Sequence, residues 1–377
     1  MKERFEYIDS IKGFAIFLMV MGHVIAWNYT DYKTVCIYDF KQLPNIKLGG
    51  LVWQIIYSFH MPLFFMLSGF VFNTENKKGK GLIGSELKLL SSYIVYGLLY
   101  LLINIPIGVI SKSFSLWEAF MGFYQLIVLY GRGPLWFLTA LMFAHMGCKI
   151  LKKYFDDNWA FIVSLALLLL SEIIRAVIKP MESAGMWQIL YYPLETLTRG
   201  FGYTFFVQVG CCFKNQFFNA SKNIKQNTLN LKWVGICALM FCMIIVNVLC
   251  VLFFSGYDTY TLADVNVKDL TYVPVLIIMA ITGSVSVLGL SLLLSKWKFT
   301  VKIFSYFGIN SLFIMATHLQ FYLCAVGKKI SSMTVNSLLV SFLIVVIIEV
   351  VLIKVLDRPI KYLTNKTSDI LKRAFSL

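Results

Sequence analysis

"SIKGFAIFLMVMGHV", residues 10–24, sets a lysine at one end of an apolar run and a histidine at the other. An uninterrupted apolar stretch of about 18 residues or more reads as a membrane helix. Comparable stretches recur near 11–28, 51–73, 91–110, 134–151, 158–178, 191–213, 231–254, 273–294, 304–326 and 335–356. Of 377 residues, 59% are hydrophobic and 14% charged, a balance that excludes an ordinary soluble domain. The expected fold class is all-α, a polytopic membrane protein with about ten transmembrane helices. No connection is long enough to fold separately, so residues 1–377 are expected to form a single integral-membrane domain.

The charge pattern supplies the orientation. Lys and Arg number 34 against 19 Asp and Glu, an excess that could suggest nucleic acid until its placement is read. Lys77, Lys78, Lys80 and Lys88 share one connection, and Lys149, Lys152 and Lys153 the next but one. Lys354, Arg358, Lys361, Lys366, Lys372 and Arg373 crowd the C-terminal tail. The intervening connections hold fewer, such as Arg175 with Lys179, or Lys268 alone. Positive residues favour the cytoplasmic side, so both termini are expected there, which requires an even number of spans. The basic balance therefore implies membrane lipid as partner and no nucleic acid, in a multi-pass protein of the inner (plasma) membrane. The first apolar run is full length and lacks a small-residue cleavage site, so it is expected to remain attached. Of eight cysteines only Cys36 falls in an outer connection and no C-x-x-C occurs, so neither a disulfide framework nor a metal site is expected.

One connection is itself apolar. Within 109–133, Ser115 and Glu118 in "SLWE" have the spacing of a capping box, which starts a helix. An interfacial or re-entrant helix on the outer face is expected, ending at "GRGP" with Arg132 at the membrane mouth and Pro134 in the first turn of the next span. Gly79, Gly81 and Gly84 spell G-x-G-x-x-G, but no βαβ context surrounds them, so a dinucleotide site is rejected in favour of a flexible basic loop.

Ionisable residues inside apolar spans are costly and point to function unless they pair. All four histidines, His23, His60, His145 and His318, lie in such spans. Lys12 and His23 are eleven residues apart, three helical turns plus about 20°, so they share one face about 16 Å apart along the axis. Lys12 sits at the cytoplasmic rim, where its ammonium can meet a phosphate or simply anchor the helix. Asp9 is read as the cap of the first helix. In the second span Pro62 removes an amide donor near His60 and should kink the helix, while Ser68 and Gly69 allow close helix approach. Asn310 with Thr317 and Ser311 with His318 give the ninth span a polar side. Glu195 with Arg199 and Glu172 with Arg175 are read as pairs, and Glu349 has no evident partner on its own helix.

The runs "YIDSIKGFAIFLMVMGH", "SFHMPLFFMLSGF", "GPLWFLTALMF" and "LDRPI" resemble the membrane acyltransferase-3 family, in particular the branch typified by fucose 4-O-acetylase. The likeness covers essentially the whole chain, with Lys12 where many members have Arg, which keeps the charge and loses the bidentate fork. The resemblance implies an O-acyltransferase that takes acetyl-CoA or another acyl-CoA from the cytoplasm and acylates a hydroxyl of a glycan or lipid-linked sugar. It implies His23 in catalysis and Lys12 on the donor side. Arg4 and Arg358 join Lys12 in a basic rim suited to the CoA phosphates. His23 could act as general base or as transient acyl acceptor. His60, Ser68, Trp136 and Asn310 are candidate oxyanion donors, and Arg132, Trp136 and His318 candidate residues of the acceptor side. The competing reading is a transporter or flippase of a polysaccharide precursor, since buried His, Glu and Arg also describe a proton-coupled pathway.

Overall fold

The computed structural model describes residues 6–28, 48–72, 80–112, 115–225, 231–254, 267–294 and 296–374. Arg4, Lys77 and Lys78 lie outside them. The helices are α1 (Glu6–Asn28), α2 (Leu48–Val71), α3 (Lys80–Ile110), α4 (Leu116–Ile127), α5 (Trp136–Tyr154), α6 (Asp157–Ile178) and α7 (Gln188–Gly202). They continue with α8 (Thr204–Lys225), α9 (Leu231–Phe254), α10 (Val273–Leu294), α11 (Lys298–Ile309), α12 (Ser311–Thr317), α13 (Leu323–Ser332) and α14 (Leu338–Ala374). Among the described residues seven helices are long and apolar enough to cross a membrane, or eight when the bent pair α11–α12 is counted as one broken span. The apolar part of α9, Cys237–Phe253, is shorter. The protein is an all-α, polytopic membrane protein.

The departures from the expected spans have local causes. The ninth span breaks at Asn310 with a bend of 59°. Asn310 donates its side-chain amide to Tyr306 O at 2.9 Å, while its own carbonyl accepts from Ile314 N at 3.0 Å. It therefore closes one helix and opens the next, the competition with backbone bonding that makes Asn a helix terminator. The span expected at 191–213 is two helices meeting at Tyr203; its first half carries Glu195 and Arg199, too polar for a plain lipid span. Asp9 lies inside α1 rather than capping it, because the helix is already formed at Glu6. The third span starts at Lys80, so Gly81 and Gly84 belong to a helix and not to a flexible loop. Helix α2 continues through Pro62, and α14 runs for 37 residues.

By its internal contacts the chain divides into two units. The first comprises Met1–Val71, Phe206–Ile314 and Cys324–Val345, and its centre is the packing of α1 against α11, α2 and α10. Gly13 and Gly308 bring the backbones of α1 and α11 together: a Cβ on Gly13 would overlap the Phe304 carbonyl, and one on Gly308 the Asp9 carbonyl. Phe14 and Phe17 meet Phe304 edge-on beside this contact, at 5.2 and 6.0 Å. Ser68 and Gly69 do form the expected packing notch. A Cβ on Gly69 would strike the backbone of Val207 on α8, and the Ser68 hydroxyl donates to Phe65 O at 2.7 Å. On α9, Asn247 donates to Met279 O of α10 at 2.8 Å and to Ser58 Oγ of α2 at 3.2 Å, joining three helices through one buried amide.

The second unit comprises Phe72–Phe205, Met315–Leu323 and Val346–Leu377. Its core carries a four-member charge network. Arg175 of α6 donates to Glu172 at 3.0 Å and to Glu195 of α7 at 3.0 Å, and Arg199 donates to Glu195 at 2.5 Å. The two expected intrahelical pairs are thus fused across helices into a neutral quartet of two arginines and two glutamates. His145 pairs with Glu86 of α3 at 2.9 Å, a structural use of that histidine. Glu349 receives the Thr317 hydroxyl, with 3.1 and 3.0 Å to its two oxygens, so its partner comes from a different helix.

The helix expected from "SLWE" is α4, with Ser115 in extended backbone geometry at its N-cap but making no side-chain cap bond. It leaves Leu116, Trp117, Phe120, Phe123 and Ile127 exposed and buries Met121, Gly122 and Gln125 against the protein, the two-faced character of an interfacial helix. It ends at Ile127, ahead of "GRGP". Leu129 (φ 61) turns the chain, and Gly131 (φ 71) and Gly133 (φ 55) flank Arg132 in backbone conformations that favour glycine. Pro134 then enters a short 3-10 turn leading into α5.

Candidate active site

Lys12 and His23 lie on one uninterrupted helix, α1, so the spacing argument for a shared face holds. Lys12 and His23 are both half-buried. Across from His23, α2 supplies His60, which is 5% exposed. The two imidazole centroids are 6.4 Å apart with planes at 89°. Tyr57 touches both rings, at 5.4 Å from His23 and 4.8 Å from His60, and Trp53 stacks on Tyr57 at 4.2 Å.

The hydrogen bonds assign the ring nitrogens. His23 Nδ1 lies 2.9 Å from Met19 O, and His60 Nδ1 lies 3.1 Å from Ile56 O. A carbonyl can only accept, so in each ring Nδ1 carries the proton, and the basic nitrogen of the neutral ring is Nε2. The helix itself thus orients both rings through the residue four positions back. An imidazole held this way is suited to take a proton from a hydroxyl or to attack a carbonyl through Nε2. For His60 the same tautomer makes Nε2 an acceptor, so a neutral His60 offers no N–H to an oxyanion from that nitrogen. Trp53, Tyr57 and His60 follow i, i+4, i+7 spacing on α2, a stripe visible in the sequence only once the helix is in register.

Asn310 belongs to the same unit, at the α11–α12 break, with one amide proton committed to Tyr306 O. Arg132, Trp136, His318 and Arg358 belong to the second unit. There Arg132 lines a cavity with Ser115 and Glu118 of the α4 region. Trp136 is not in that wall; the Arg199 guanidinium sits 4.8 Å over its ring. His318 is fully buried just beyond the end of α12, and Arg358 is exposed on α14 beside the ion pair of Lys361 with Asp357. Among the described residues no group of three or more His, Cys, Asp or Glu is arranged to hold a metal ion.

The family model described as an acyltransferase domain matches residues 5–354. The chain belongs to the acyltransferase-3 family. No curated protein and no solved structure matches it. An acyltransferase-3 chain is a membrane acyltransferase, and the match takes in α1, α2 and the histidine pair between them.

Proposed function

We propose that this membrane acyltransferase transfers an acyl group, acetyl in the simplest case, from cytoplasmic acyl-CoA to a sugar hydroxyl of a surface polysaccharide or its lipid-linked precursor, at the inner membrane. The reading rests on one observation above all: His23, oriented by Met19 O and facing His60, sits on the same helix face as Lys12. Lys12 holds the phosphates of CoA at the rim, and the thin pantetheine arm carries the thioester along α1 toward the rings.

In the transfer step the acceptor oxygen attacks the thioester carbonyl while His23 Nε2 takes the hydroxyl proton. The tetrahedral adduct then collapses: the C–S bond breaks, the new C–O ester bond remains, and the proton passes to the departing CoA thiolate. His60, perpendicular to His23, is the second imidazole able to hold that proton during collapse. Turnover of labelled acetyl-CoA by the purified protein, with label appearing in glycan ester, tests the reading. A protein that moves glycan precursors across vesicles without consuming acyl-CoA would overturn it.

A further inference from the structure

Within the second unit a cavity of about 210 Å³ opens between α3, the start of α4 and the loop ahead of α5. Its polar wall is made by Tyr100, Asn104, Ser115, Glu118, Arg132 and Tyr322. Arg132 is the one cation in that wall and Glu118 the one anion; among the described residues no ion pair joins them. The guanidinium instead lies 5.9 Å over the Tyr100 ring, and left-handed glycines precede and follow Arg132 in the chain.

Another part of the wall is fixed by unusual means. Tyr322 adopts φ 57, a conformation a bulky residue takes only when its surroundings impose it, and such outliers gather at functional sites. From there its hydroxyl donates to Asn104 Oδ1 at 2.5 Å, and Asn104 Nδ2 donates to Tyr100 O at 2.9 Å. The amide face is thereby locked. Tyr100, Leu101 and Arg132 also line a second void, of about 20 Å³, whose wall includes Gln125, room for one water or a single hydroxyl. Gln125 is 5% exposed, and its Oε1 has no hydrogen-bond partner among the described residues. A buried acceptor left without a donor is costly and marks the place where a ligand's donor belongs.

We propose that this cavity binds a single sugar ring bearing one anionic group, a carboxylate or a phosphate. The anion meets the two-pronged guanidinium of Arg132, with the first turn of α4 adding its partial positive charge. Sugar hydroxyls donate to Glu118, bond to Asn104, and reach Gln125 Oε1 directly or through one water. The cavity is smaller than sites for drug-sized ligands, which limits it to about one ring. Resting on the acyltransfer reading above, this sugar is a unit of the acceptor glycan, so the proposal names the acceptor as acidic.

Equilibrium binding to the purified full-length protein, with no acyl donor present, tests this with glucuronate, glucose 6-phosphate and neutral methyl glucoside as probes. The expected result is that a charged sugar binds at least tenfold more tightly than the neutral one, and the two charged probes tell carboxylate from phosphate. Arg132→Gln should abolish the preference, Arg132→Lys should retain part of it, and Glu118→Gln, which removes a like charge, should enlarge it. Equal binding of neutral and charged sugars, or a preference that survives Arg132→Gln, would overturn the proposal. Charged-sugar binding without any acyl transfer would sink the acyltransfer reading and leave the subsite standing, whereas acyl transfer with no charged-sugar binding would do the reverse.

Discussion

His23 and His60 spend Nδ1 on their own helices, and that commitment can be separated from the chemistry of Nε2. An asparagine at position 23 places its amide N–H near the Nδ1 position and has nothing in place of Nε2. His23→Asn should therefore keep the bond to Met19 O while lowering kcat by about 10²- to 10⁴-fold, the usual worth of a positioned base. The thermal midpoint should stay near that of the parent; retained turnover in a folded variant would remove His23 from the chemistry. Lys12→Ala should act on the donor instead, raising KM for acyl-CoA with a smaller effect on kcat, because an ammonium at the rim binds phosphate equally in ground and transition states. An unchanged KM would reduce Lys12 to a membrane anchor.

At the scale of the helix, the contact of Gly13 with Gly308 fixes the height of α1 against α11 one residue away from Lys12. Gly13→Ala puts a methyl group into the Phe304 carbonyl, and relief requires the helices to part, so a loss of about 1–3 kcal/mol is expected, measured as a lower unfolding midpoint in detergent. Apolar runs announced where helices lie, because lipid demands long stretches without charge, and "SLWE" announced the start of α4, although the capping bond its spacing implies is not made. Stopping points were harder to read. The break at Asn310 depends on a side chain outcompeting a backbone bond, which hydropathy does not register, and the break at Tyr203 lies inside a run that looked continuous. Pairing was half visible: Glu195 with Arg199 and Glu172 with Arg175 follow from helical spacing, but their fusion through Arg175 and Glu195 required α6 and α7 to be side by side. The partnership of Glu349 with Thr317 was hidden for the same reason, as was Tyr57 between the two histidines.

Across the molecule, the buried quartet is a structural use of charge, whereas the proposed chemistry falls on the histidine pair. Arg175 is 5% exposed and Glu195 2%, so Glu195→Gln leaves two arginines short of a counter-charge and should cost about 3–5 kcal/mol, seen as loss of folded protein rather than a selective fall in kcat. A folded, thermally normal Glu195→Gln protein would show that the quartet is dispensable for stability. The largest single element carries one more implication. Helix α14 has 37 residues, a rise of about 55 Å, against a hydrocarbon layer of about 30 Å. Roughly 25 Å of its length is surplus to that layer, and the C-terminal part keeps one face, Ile360, Thr364 and Ser368, buried against the protein. Environment-sensitive dyes placed one at a time along its outer face would light up at one level and go dark within a turn, making this helix a built-in depth gauge for where the oil ends and the water begins.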